Sequence, residues 1–281
     1  MLGWLIGIFT SLVVFVAVYA LLIRPNLPRR DISFLQGVDY AHRGLWTGNE
    51  PQEGLRPENS LAAFRAAVEK SYGIELDVHR TKDGALVVHH DDSLLRLTGT
   101  DIRIAQSTLE EVRACRLPNG EAVPTFDEVL AAVAGCVPLI IEVKVEGNAE
   151  LLSEAVYARM QRYEGPWCME SFDPWAVKWF RLHAPEVIRG QLAFNHFGKG
   201  ETVKLWMRNL AVASMIQNLW SRPDFVAWEA KSEKRCCLPR LLLRWMKPWF
   251  VAWTVRSQQD MDALRGKYDL QIFEKFEARK G

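Results

Sequence analysis

His42, Glu75, Asp77, His90 and Glu142 combine types and spacing that support metal-assisted acid–base chemistry. In Ile74-Glu75-Leu76-Asp77-Val78-His79, apolar residues alternate with two carboxylates and an imidazole. In a strand, 75, 77 and 79 share one face and 74, 76 and 78 the other. Ile140-Ile141-Glu142-Val143-Lys144 repeats the pattern, with Glu142 and Lys144 together. Carboxylates on the inner face of a sheet are costly without cationic partners. The ordinary alternative pairs Glu142 with Lys144 and treats Glu75 and Asp77 as members of structural ion pairs. Three acids against one lysine leave negative charge over, which a divalent cation compensates. All-oxygen ligation points to Mg²⁺ or Ca²⁺ and away from thiolate-bound zinc.

His42 and His90 each end a strand-like run, the second followed by Asp91. Imidazole titrates near neutrality, so one ring can accept a proton while the other gives one, each transfer worth about 10²–10⁴ in rate. Arg43 and Lys144 are placed to hold a phosphate, the arginine as a bidentate fork. His79 shares the inward face and reads as support for the site. His89 points opposite to His90 and reads as structural.

These residues need a scaffold of alternating strands and helices. Strands are predicted at Val38–His42, Ile74–Val78, Leu86–His90, Leu139–Lys144, Trp167–Ser171, Ile188–Ala193, Phe225–Trp228, Phe250–Val255 and Tyr268–Glu274. Helical periodicity marks Leu61–Lys70, capped by Asn59 or Ser60, and also Phe126–Ala134 and Leu151–Tyr163. Nine strands are one too many for an eightfold barrel. Thr81-Lys82-Asp83-Gly84 is a tight turn, so Leu86–His90 folds back as a hairpin arm, because parallel neighbours need a long crossover. The expected fold is α/β: a (β/α)₈ TIM barrel with a hairpin insertion after strand 2, preceded by one N-terminal transmembrane helix. Residues 91–125, with one short helix, form an insertion before the next barrel strand.

Residues 1–23 lack any charged side chain and are long enough to span a bilayer. Neither a polar face nor a basic leader segment is visible, which favours an anchor over a core helix or a cleaved signal peptide. Residues 24–37 read as a juxtamembrane linker and 38–281 as the catalytic domain. Arg24, Arg29 and Arg30 follow the span, so the positive-inside rule puts that domain in the cytoplasm. The 281 residues carry a net charge of +1 and no basic stripe, which argues against nucleic acid as partner. The five cysteines form no CxxC pair and read as reduced thiols. Arg235–Phe250 is basic and apolar. It is expected as a barrel helix packing through Leu241, Leu242 and Trp245, or else as a membrane-facing surface.

A resemblance now emerges. His42-Arg43-Gly44, Pro57-Glu58-Asn59-Ser60, Glu75-Leu76-Asp77-Val78, Thr81-Lys82-Asp83-Gly84, His90-Asp91, Glu142-Val143-Lys144, Ser171-Phe172 and Trp253-Thr254-Val255 follow the order seen in glycerophosphodiester phosphodiesterases. The resemblance runs from about residue 38 to 274. It implies hydrolysis of glycerophosphodiesters to sn-glycerol 3-phosphate and an alcohol. It further implies a metal at Glu75, Asp77 and Glu142, an acid/base pair at His42 and His90, and phosphate contacts from Arg43 and Lys144. Trp253 either lines the substrate site or fills the barrel. Two departures stand out: Arg256 where the family often has Asn, and Lys267–Phe276 where its last strand often reads GVDGIITD. Both are expected at the alcohol or glycerol end of the mouth. Two other readings remain open: lysophospholipase D-type hydrolysis of a lysophospholipid at the bilayer, and an inactive membrane-tethered barrel that only binds ligands. Oligomeric state is not legible in the sequence.

Overall fold

The structure, a computed structural model, describes residues 2–50, 52–194, 202–232 and 237–279. All nine predicted strands form: β1 (Tyr40–His42), β2 (Gly73–Arg80), β3 (Leu86–Val88), β4 (Leu139–Val143), β5 (Trp167–Ser171), β6 (Arg189–Ala193), β7 (Phe225–Glu229), β8 (Trp249–Val255) and β9 (Leu270–Phe273). Eight of them run parallel, and β1 pairs with both β2 and β9, so the sheet closes into a barrel. β3 alone is antiparallel, folded onto β2 with Val88 opposite Val78. The turn between them is the expected one. Gly84 takes φ +90° there, and Thr81 and Ala85 close it through the Thr81 N–H to the Ala85 carbonyl at 2.9 Å.

The helices are α1 (Leu2–Ile23), α2 (Leu61–Glu69), α3 (Leu95–Thr98), α4 (Leu109–Ala114), α5 (Phe126–Val133), α6 (Ala149–Met160), α7 (Pro174–His183), α8 (Val203–Ser214), α9 (Asn218–Ser221), α10 (Leu238–Met246) and α11 (Gln258–Leu264). Ser60 caps α2, accepting from the Ala63 N–H. Alternation along β2 and β4 sends Ile74, Leu76, Val78, Ile141 and Val143 outwards into the main core, where they meet Phe64 of α2 and Phe126 and Val129 of α5. Each such fully buried side chain contributes roughly 1.5–3 kcal/mol. The lower barrel is filled by Tyr40, Ile140, Cys168, Phe225 and Val251.

Residues 91–125 differ from expectation. Two short helices form there, α3 and α4, around a small core of Leu94, Leu97, Ile104 and Val112. Thr108 and Glu111 cap α4 reciprocally, a Thr-x-x-Glu signal present in the sequence.

The stretch expected as a linker packs against the barrel. Ile32 and Leu35 are buried beneath it, and the Tyr40 O–H donates to the Leu35 carbonyl at 2.6 Å. Arg29 lies 3.1 Å above the Trp249 ring, and the Trp249 indole N–H donates to the Arg30 carbonyl at 2.7 Å. α1 is long and apolar enough to cross a membrane. Its last turns dock on the barrel: the Tyr19 O–H donates to the Ser214 carbonyl, and Asn218 Nδ2 to the Ile23 carbonyl at 2.9 Å.

Within Arg235–Phe250, residues 235 and 236 lie outside the described residues. α10 corrects the packing expected of that segment. Pro239 and Leu243 are buried and Leu242 packs against the core, whereas Leu241 and Trp245 are exposed. The 3.6-residue period turns 239, 243 and 246 to the core and 241 and 245 away from it. Cys115, Cys136 and Cys168 are free thiols.

Candidate active site

Strand register brings the acidic residues together. His42 on β1 lies beside Glu75 on β2, Asp77 beside Glu142 on β4, and Glu142 beside Glu170 on β5. All four carboxylates are buried, at the C-terminal end of the barrel, where enzymes of this architecture place their chemistry. Single oxygens of Glu75, Asp77 and Glu142 lie within 4.8 Å of one another. Lys144, just past β4, places Nζ 3.0 Å from Asp77 Oδ1 and 2.8 Å from Glu142 Oε2.

Lys144 alone does not balance the four carboxylates. Burial, and then repulsion from Asp77 and Glu142, push the Glu75 carboxyl well above its usual range. Burial also pushes Glu142 up, against the pull of Lys144. Burial opposes ionisation of Asp77 too, yet Lys144, His90 and Arg43 together hold it well below the ordinary value. Three hard oxygen donors, converging in a nest with surplus negative charge, fit a hard divalent cation.

The His42-Arg43-Gly44 turn is built for close approach. Arg43 takes φ +58°, and its backbone N–H donates to Glu75 Oε2 at 3.1 Å. Gly44 has φ +81°, and a Cβ there would lie 2.9 Å from the Ala63 carbonyl carbon, so only glycine fits. The Arg43 guanidinium bonds Glu58 at 2.8 Å and lies 3.3 Å from Asp77 Oδ2. Asn59 Nδ2 donates to that same Asp77 oxygen at 2.8 Å. The two motifs therefore interlock around Asp77.

His42 Nε2 faces Glu75 Oε2 at 3.8 Å, and Nδ1 lies 2.7 Å from Glu274 Oε2. Burial and the neighbouring Arg43 lower the His42 ring to about 4, so it is neutral. His90, at the end of the hairpin arm, has Nδ1 2.6 Å from Asp91 Oδ1, and Arg96 Nε holds the other Asp91 oxygen at 2.5 Å. His79 supports this arm as expected: its Nε2 meets the His90 carbonyl at 3.2 Å, and its Nδ1 meets Glu146 at 2.6 Å. His89 is buried and bonds the Asp91 carbonyl.

A cavity of about 660 Å³ opens beside Glu142 and is lined there by His90, Glu142, Lys144 and Phe172. Trp253 is half-buried, donates to the Ala227 carbonyl at 2.9 Å, and meets Phe172 edge-on at 5.6 Å. It therefore packs with the barrel filling and touches a residue of the cavity wall.

The sequence reading missed Glu170 and the partners of the histidines. Glu170 was legible: alternation along Trp167–Ser171 puts it on the inward face. Glu274 sits just past β9, in the divergent Lys267–Phe276 stretch, and the structure brings it against His42. Arg256, the other departure, bonds Glu274 Oε1 at 2.6 Å, so the two departures contact each other.

Residues 42–232 match the glycerophosphoryl diester phosphodiesterase family. Over 227 residues the chain is 30% identical to rat glycerophosphodiester phosphodiesterase 1, covering 73% of this chain and 66% of the relative. Identity with a glycerophosphodiester phosphodiesterase of Caldanaerobacter subterraneus is 31% over 149 residues, 48% of this chain and 61% of that protein. An Oleispira antarctica phosphodiesterase solved with sn-glycerol-3-phosphate shares the fold at a TM-score of 0.65 and 20% identity, over 85% of this chain and 93% of that one. The family match covers well over half of the sequence, and the chain belongs to the glycerophosphoryl diester phosphodiesterase family.

Proposed function

We propose that this protein hydrolyses glycerophosphodiesters to sn-glycerol 3-phosphate and an alcohol, in a metal-dependent reaction with His42 and His90 as its acid/base pair. The observation that supports it best is the single nest in which Glu75, Asp77 and Glu142 converge between the two histidines. Those three carboxylates would hold one Mg²⁺ or Ca²⁺ ion. When bound, the ion acts as a Lewis acid towards the phosphoryl oxygens and as a template for the diester.

One histidine takes the proton of the glycerol 2-hydroxyl as that oxygen attacks phosphorus. The P–O bond to the alcohol breaks, and the other histidine protonates the leaving oxygen. Water then opens the cyclic phosphate with the proton roles reversed. Arg43 and Lys144 neutralise the phosphate, and Trp253 with Phe172 bounds the organic part of the substrate. α1 tethers the enzyme to a bilayer, residues 24–37 join it to the barrel, and Arg24, Arg29 and Arg30 place residues 38–281 on the cytoplasmic side.

The test uses the purified full chain with glycerophosphocholine, measuring choline release with and without EDTA. EDTA should abolish turnover, and His42→Ala should lower kcat by about 10²–10⁴ while leaving the fold intact. Full turnover in EDTA, or in His42→Ala, overturns the assignment. A second substrate, a lysophospholipid drawn from the membrane, is favoured by the extent of the cavity.

A further inference from the structure

The cavity does not stop at the acids. From Lys144 and Phe172 it continues past Trp175 of α7 to Val212 of α8, and then to Ile216 and Trp220 at α9. This far wall is mainly apolar. The Trp175 and Trp220 rings stand 5.9 Å apart, and their exposures of 50% and 41% are large for tryptophan on a water-facing surface.

The same segment holds the foot of α1. Ile216 and Trp220 line the cavity, while Asn218 and Arg222, between and beside them, bond the Ile23, Leu21 and Arg24 carbonyls. The apolar end of the cavity is thus continuous with the place where a membrane-spanning helix would leave the bilayer. The flanking helices carry further exposed apolar side chains: Trp206 and Met207 on α8, Leu241 and Trp245 on α10. Tryptophan at this level suits the headgroup region, where its ring is buried and its N–H stays wet.

We propose that the far half of the cavity is an acyl site. It takes the single hydrocarbon chain of a lipid phosphodiester that enters at the foot of α1, with its phosphate at Glu142 and Lys144. Burial of the chain favours binding by roughly fourfold per methylene removed from water. The inference rests on the phosphodiesterase reading for its chemistry, and on the shape and position of the cavity for its ligand.

The experiment compares glycerophosphocholine with lysophosphatidylcholine on the full chain in lipid nanodiscs, following choline release. Lysophosphatidylcholine should be turned over at the lower KM. Ile216→Glu, at a part-exposed position, should cut kcat/KM for the lysolipid by at least about tenfold and leave glycerophosphocholine unchanged. Equal loss on both substrates, no loss on the lysolipid, or wild-type turnover of glycerophosphocholine alone overturns the acyl site. If wild type turns over neither, the phosphodiesterase reading fails, and the site is judged by binding alone. In EDTA, lysophosphatidylcholine brominated on its chain should quench tryptophan fluorescence, and Trp220→Phe should remove part of that quenching. Identical quenching in Trp220→Phe and wild type sinks the proposal.

Discussion

His42 Nδ1 lies 2.7 Å from Glu274 Oε2, and the other Glu274 oxygen accepts from Arg256 at 2.6 Å. His90, Asp91 and Arg96 repeat that arrangement at the end of the hairpin arm. Each ring therefore has a carboxylate–arginine pair behind Nδ1, which orients it.

Glu274→Ala should lower kcat for glycerophosphocholine by about 10–100-fold with little change in KM, because it releases the ring without touching the phosphate contacts. Steady-state kinetics decide it. An unchanged kcat would make the pair a purely structural one.

Mg²⁺ or Ca²⁺ should raise the thermal midpoint of the EDTA-treated protein, since an ion at 100 times its Kd adds about 2.7 kcal/mol of stability. Glu142→Gln removes the charge of one of three converging carboxylates and should abolish most of that rise. A full rise in the variant would place the ion elsewhere.

Glu170 is fully buried, its Oε2 lacks a hydrogen-bond partner, and burial with repulsion from Glu142 and Asp77 drives its carboxyl well upwards. A raised acid destabilises the fold at any pH where the unfolded chain is ionised and the folded one resists ionising. Glu170→Gln should therefore melt higher than wild type at pH 8 in EDTA, and the gap should close below the ordinary value of 4.5. Melting curves at the two pH values test this; a lower midpoint for the variant at pH 8 contradicts it.

Glu58 behaves oppositely. Burial opposes its ionisation, but hydrogen bonds from Arg96 and the charge of Arg43 hold it down to about 2 from 4.5. Between those values the unfolded chain binds more protons than the folded one, so stability rises with pH and is lost as pH falls from 4.5 towards 2. The wild-type midpoint should fall across that window, and Glu58→Gln should show a lower midpoint at neutral pH and a flatter profile. Parallel profiles would mean that Glu58 contributes no such linkage.

Much of this protein was legible in local pattern. Period-two alternation marked Glu75, Asp77 and Glu142 as inward, because a strand places successive side chains on opposite faces whatever its neighbours are. The Thr81–Gly84 turn sorted nine strands into eight and a hairpin arm for the same kind of reason: a tight turn can join only antiparallel strands. Tertiary structure alone decided which acids stand side by side. The Asp77–Glu142–Glu170 row depends on register between strands, which packing sets across the whole barrel. Glu274 reaches His42 across 232 positions only because β9 closes onto β1. The docking of α1 on α9, which sets the apolar end of the cavity beside the span, likewise has no local signal. It arises from contacts between segments about 195 residues apart, whose meeting the chain's own spacing does not announce.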